Sequence, residues 1–115
     1  MRNTRQINWV RGALRDFERF PETAQSKAVD ALTIVADGAT PGIAKPLTGL
    51  GSGVWELVLR ERGDAYRIVY ALQIGEAIYV VHAFQKKSKS GIATPKAEID
   101  LVAERIKRLK EELKP

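Results

Sequence analysis

Three short alternations of apolar and polar residues follow one another between Val54 and Lys89, with turn residues between them. In Val54–Arg60, Trp55, Leu57 and Leu59 share one side while Val54, Glu56, Val58 and Arg60 share the other, since successive strand side chains point to opposite faces. In Tyr66–Leu72, Tyr66, Ile68, Tyr70 and Leu72 alternate with Arg67, Val69 and Ala71. In Ala77–Gln85, Ile78, Val80, His82 and Phe84 alternate with Tyr79, Val81, Ala83 and Gln85. Arg62-Gly63-Asp64 and Ile74-Gly75-Glu76 supply the turns. Connections this short force antiparallel pairing, so the stretch predicts a meander sheet. Its apolar, aromatic face needs cover. Its other face, with Arg67 and Arg60, is expected to be solvated and concave.

The flanking chain supplies the cover. Gln6–Val10 reads as a short strand with Ile7 and Trp9 on alternate positions. Val10, Ala13, Leu14 and Phe17 then recur at helical spacing, with Arg11, Arg15, Asp16, Glu18 and Arg19 on the far side. Ala24, Ala28, Leu32 and Val35 repeat the pattern from Glu22 to Asp37, and Gly38 is the stop. Gly38–Gly53, with five glycines and two prolines, is too broken for either regular element; Lys45 within it is a candidate phosphate contact. Thr94-Pro95 reads as a hydroxyl cap and first helical residue. Ile99, Val102, Ala103, Ile106, Leu109 and Leu113 form the stripe of the helix that follows. The fold class is therefore α+β: an N-terminal helical hairpin and a C-terminal helix packed on an antiparallel meander.

At 115 residues the chain is expected to form one domain, residues 1–115. No apolar run approaches the length that spans a bilayer, and the basic N-terminus lacks an apolar signal core. The absence of cysteine excludes disulfides and thiolate chemistry and fits a cytoplasmic location. With one histidine and no cysteine there is no metal-ligand cluster, so neither a metal nor another cofactor is expected. No phosphate-binding glycine loop or catalytic triad is legible either. What remains is positive charge: the net charge is +5, and Arg60, Arg67, Lys86, Lys87 and Lys89 fall together at one end of the sheet. Such a group holds a nucleic-acid backbone or stabilises a phosphate under attack; a solvated basic rim around a turn is the other reading. His82 has the pKa range for acid or base work. By alternation, though, it points with Val80 and Phe84 into the apolar face, as a hydrogen-bonded core histidine would.

Trp55-Glu56-Leu57, Tyr66-Arg67-Ile68-Val69-Tyr70 and His82-Ala83-Phe84-Gln85-Lys86-Lys87-Ser88-Lys89, followed by a helix after Thr94-Pro95, resemble the RelE/ParE toxin superfamily over nearly the whole chain. The closest resemblance is to its phage-derived HigB-like branch. It implies a RelE-like fold and the toxin of a toxin–antitoxin pair, a metal-independent endoribonuclease that cuts ribosome-bound mRNA by attack of a 2′-hydroxyl on the adjacent phosphate. By the same resemblance Arg67 and Lys87 contact the scissile phosphate, while Arg60, Lys86 and Lys89 hold RNA backbone. The implied partners are a cognate helix-turn-helix antitoxin, the ribosome and mRNA, with no membrane. Two strand positions that are lysines in RelE are Glu56 and Val58 here. The tyrosine near the start of the family's last helix has no counterpart in Gly91-Ile92-Ala93-Thr94. His82 or a lysine of depressed pKa is then the candidate proton carrier. Two alternatives stay open: a ParE-like toxin that inhibits a topoisomerase without nuclease activity, and a non-catalytic phage-derived protein that binds nucleic acid.

Overall fold

The structure, a computed structural model, describes residues 4–86 and 93–114. Strand β1 (Ile7–Trp9) leads directly into helix α1 (Arg11–Phe17) and then α2 (Glu22–Ala36). Strands β2 (Ala44–Pro46), β3 (Val54–Glu61), β4 (Asp64–Ala71) and β5 (Ile78–Lys86) follow, and α3 (Lys96–Glu112) closes the chain. The sheet order is β1-β5-β4-β3-β2, with β1 parallel to β5 and the other neighbours antiparallel. This is the expected α+β fold, and the three meander strands lie within a residue or two of their predicted bounds.

Local chemistry accounts for the framework. The β3–β4 hairpin closes on Arg62 and Gly63, both left-handed (φ 50° and 86°), the backbone that a tight two-residue turn demands. That turn sets Glu61 opposite Asp64 and fixes every pairing behind it. Helix α2 ends at Gly38 (φ 93°), whose N–H reaches the Val35 carbonyl at 2.9 Å while the Ala39 N–H reaches Ile34 at 3.1 Å. Those two bonds satisfy carbonyls that the helix end would otherwise leave open. At the other edge, Arg5 ties the β4–β5 connection to the N-terminal strand by donating to the carbonyls of Leu72, Glu76 and Ala77.

The expectation that helices cover one face is corrected. Helices α1 and α2 pack Ala13, Phe17, Ala28 and Leu32 against Leu57, Ile68, Tyr70 and Val80. Helix α3 packs Val102, Ile106 and Leu109 on the opposite face, against Val69, Ala71, Val81 and Phe84. Near-continuous apolar runs such as Ile68-Val69-Tyr70-Ala71 are the mark of strands buried on both sides, and alternation alone does not convey it. Leu14, expected in the α1 stripe, is left exposed because Ala13 and Phe17 carry that short helix's contact.

Two further readings change. Residues Ala44–Pro46, in the stretch judged too broken for regular structure, form an edge strand on β3, flanked by Val58 N–H to Ile43 O (3.0 Å) and Leu47 N–H to Val54 O (2.9 Å). In β5, Val69 faces His82 while Tyr70 faces Val80, so Val81 is a bulge. The bulge breaks the alternation: Val80 stays under α1 and α2, whereas His82 joins Phe84 on the α3 face.

If α3 is an integral layer, Ile106→Ala should cost about 2–4 kcal/mol, since a buried side chain is lost from a packed core. Leu101→Ala, at a position 37% exposed on the same helix, should stay within about 0.5 kcal/mol. Urea denaturation of both variants, with unchanged slope, checks this.

Candidate phosphate-binding site

Register places the charged residues. Val58, Arg67 and Phe84 form one cross-strand row; Arg60, Ala65 and Lys86 form the next toward the sheet end; Lys45 and Glu56 lie opposite one another on the inner side. All share the face that α3 covers in part. The structure therefore brings Lys45, Arg60, Arg67 and Lys86 together on one face. Lys87 and Lys89, also expected in this cluster, lie outside the described residues.

Arg67 sits in the central strand, only 2% exposed. A guanidinium stays protonated at any ordinary pH and cannot be left unpaired in a packed interior. Its partner is Glu56, fully buried, with Arg67 Nη1 3.0 Å from Glu56 Oε1. Thr94, just before α3, completes the group: its hydroxyl donates to Glu56 Oε2 at 2.7 Å and accepts from Arg67 Nη1 at 3.3 Å. Lys45 Nζ stands 3.7 Å from Glu56 Oε1. The Arg67 Nε–H is buried with no partner among the described residues. Arg67 also lines an open groove at the β2–β3 edge, shared with Lys45, Val58, Arg60 and Ile43.

Thr94 thus does not cap α3 as expected. The N-cap is Pro95, with no side-chain cap bond, because the Thr94 hydroxyl is committed to the ion pair. Glu56 and Thr94 are the two members that sequence reading missed. A signal for Glu56 existed: the tight Arg62-Gly63 turn fixes the register that sets Val58 opposite Arg67 and so places Glu56 diagonal to the arginine.

Burial, and then the neighbouring charges of Arg67, Lys45 and Arg60, hold the Lys86 ammonium below the ordinary lysine range, with Glu56 opposing them. His82, 3% exposed, is engaged at both ring nitrogens. Arg105 Nη1 lies 3.1 Å from Nδ1, and since an arginine can only donate, Nδ1 accepts and the ring proton sits on Nε2. Nε2 then donates to Glu98 Oε1 at 2.7 Å. This is the geometry of a hydrogen-bonded core histidine, and Val69 separates it from Glu56 in their cross-strand row. Among the described residues no group of acidic or histidine side chains has metal-site geometry, and no helix is long and apolar enough to cross a membrane.

The fold is that of RelE toxins. A free-state structure of an E. coli RelE toxin variant superposes with a TM-score of 0.64 at 16% identity, covering 91% of this chain and 97% of that one. The toxin–antitoxin complex RelBE2 from Mycobacterium tuberculosis matches with a TM-score of 0.52 at 16% identity, over 74% of this chain and 94% of that one. No curated protein matches the chain. Residues 15–107 match the family described as "Phage derived protein Gp49-like (DUF891)", and the chain belongs to that family.

Lys86 has a measurable signature. The unfolded chain holds this lysine's proton more tightly than the folded one. Folding stability therefore gains from this group as pH rises through the depressed value toward 10.5, and loses as pH falls back through it. Lys96, raised by its bond to Asp100, works in the opposite sense. Lys86→Met should remove the alkaline gain, read as the difference between mutant and parent melting temperatures across that range.

Proposed function

We propose that the chain is the toxin of a toxin–antitoxin pair and a metal-independent endoribonuclease that cuts ribosome-bound mRNA in the cytoplasm. The observation that carries this reading is an arginine at the centre of a RelE-like sheet, on one face with Lys45, Arg60 and Lys86, whose buried Nε–H has no acceptor among the described residues. Cleavage without a metal needs charge stabilisation where the phosphate becomes more negative, and a planar guanidinium fork supplies it.

In the proposed reaction the RNA 2′-hydroxyl gives its proton to a base as its oxygen bonds to the neighbouring phosphorus, and the bond to the 5′-oxygen breaks as that oxygen takes up a proton. A cyclic 2′,3′-phosphate and a 5′-hydroxyl are left. Arg67 and Lys87 contact the scissile phosphate; Lys45, Arg60, Lys86 and Lys89 hold the backbone. Lys86, its ammonium held low by burial and by neighbouring cations, is the best-poised proton carrier among the described residues. An antitoxin is the natural partner, as in the M. tuberculosis complex. A helix-turn-helix antitoxin and the ribosome complete the set.

The second reading is a toxin that inhibits a topoisomerase without cutting RNA. The hold of Glu56 on Arg67, where RelE has a lysine in the strand, favours it. Expression under tight control with mapping of mRNA 5′ ends separates the two. Cuts at ribosome-occupied codons are expected, and arrest with intact mRNA and a DNA-damage response would overturn the nuclease reading. Arg67→Ala strands the Glu56 carboxylate and should cost about 3–5 kcal/mol of stability. Arg67→Lys keeps a cation beside Glu56 but loses the planar fork, and should lower cleavage about 10²–10³-fold with the fold intact.

A further inference from the structure

A carboxylate beside an arginine competes with phosphate for it, and Glu56 is fully buried against Arg67. Its negative charge opposes an incoming phosphodiester, so the pair needs an explanation beyond stability. The geometry supplies one. Among the described residues, Arg67 donates from Nη1 to both Glu56 and Thr94, and its buried Nε–H has no partner. Glu56 in turn does not depend on Arg67 alone, since Thr94 donates to Oε2 at 2.7 Å and Lys45 Nζ lies 3.7 Å from Oε1. If the guanidinium turns toward another anion, the carboxylate keeps a cation and a hydroxyl. Arg67 also lines the groove it shares with Lys45 and Arg60.

We propose that Glu56 is an exchangeable internal counter-ion: it holds Arg67 in place in the ligand-free protein and competes with the RNA phosphodiester for it. Glu56 is a positioning residue that acts through Arg67, and it limits affinity while keeping the arginine folded into the sheet. Thr94 shares in the exchange, since its hydroxyl touches both partners and sits at the start of α3. The inference rests on the RNA reading for the identity of the phosphodiester.

The test is binding of a short single-stranded RNA with 2′-O-methyl riboses, which cannot be cut, over a series of salt concentrations. Wild type, Glu56→Gln and the double variant Glu56→Gln/Arg67→Ala are compared. The glutamine keeps the shape and a carbonyl oxygen for Arg67; its amide nitrogen donates to the Thr94 oxygen instead of accepting from it, and the negative charge is lost. Glu56→Gln should bind roughly tenfold tighter. Its slope of log affinity against log salt should steepen by about 0.7, one further phosphate neutralised on a single strand. A purely structural glutamate would leave that slope unchanged. The double variant should lose the gain and fall below wild type.

Equal affinity and slope for wild type and Glu56→Gln, with a weakened double variant, would overturn the counter-ion and leave the RNA reading standing. A double variant that binds as tightly as Glu56→Gln would instead remove Arg67 from the RNA contact. Should Glu56→Gln fail to fold, Thr94→Val serves, since Thr94 is only half-buried. Loss of the hydroxyl leaves Glu56 to the two cations, and RNA affinity should drop roughly threefold as its grip on Arg67 tightens; unchanged affinity would overturn the proposal.

Discussion

A permanent charge in the middle of the central strand governs this structure. Strand β4 has neighbours on both edges and helical layers on both faces, and Arg67 within it is nearly buried, lining the groove at the β2–β3 edge. Glu56 answers the charge from the adjacent strand, Thr94 answers both from the loop before α3, and Lys45 approaches from the edge strand. Four separate stretches of chain meet at one ion pair. The pair need not add net stability, because removing two charges from water costs about as much as their attraction returns. An arrangement that separated Arg67 from Glu56 would leave a buried charge uncompensated.

The same economy holds α3 in place. Its apolar stripe, Val102, Ile106 and Leu109, supplies most of the contact, and polar anchors set where it lies. Glu98 meets His82, and Arg105 bonds the Val81 carbonyl and His82 Nδ1. Arg105 also lies against Gly12 of α1, where an added Cβ would come within 2.5 Å of the guanidinium. Glycine there lets the two helical layers touch around the β5 edge. The candidate site is left at the opposite, more open edge.

Much of this was legible before any coordinates. Turn chemistry and alternation located β3, β4 and β5, and helical spacing located α2 and α3, because those signals are local. The tight Arg62-Gly63 turn fixes the β3–β4 register that sets Arg60 and Arg67 in adjacent rows, and Lys86 joins them through the separate β4–β5 pairing. What escaped depends on tertiary partners. Strand β2 has no pattern of its own and exists because β3 offers an edge. The Val81 bulge moved His82 to the other face, and nothing in a period of two foretells a bulge. Thr94 read as a cap because the local rule for a hydroxyl before proline says so, and a buried carboxylate outbid the helix for it.

The parallel pairing of β1 with β5 has a consequence for the order of assembly. The first strand of the sheet must wait for the last, since Ile7 lies opposite Ile78. The β3–β4–β5 hairpins can close among themselves, but the N-terminal segment has no edge to join until β5 exists. Thr94 and the layer that seals Arg67 come later still. A chain still being translated therefore carries the arginine and its glutamate before the Thr94 hydroxyl that bridges them exists, and the ion pair is completed only after the whole sheet has been made.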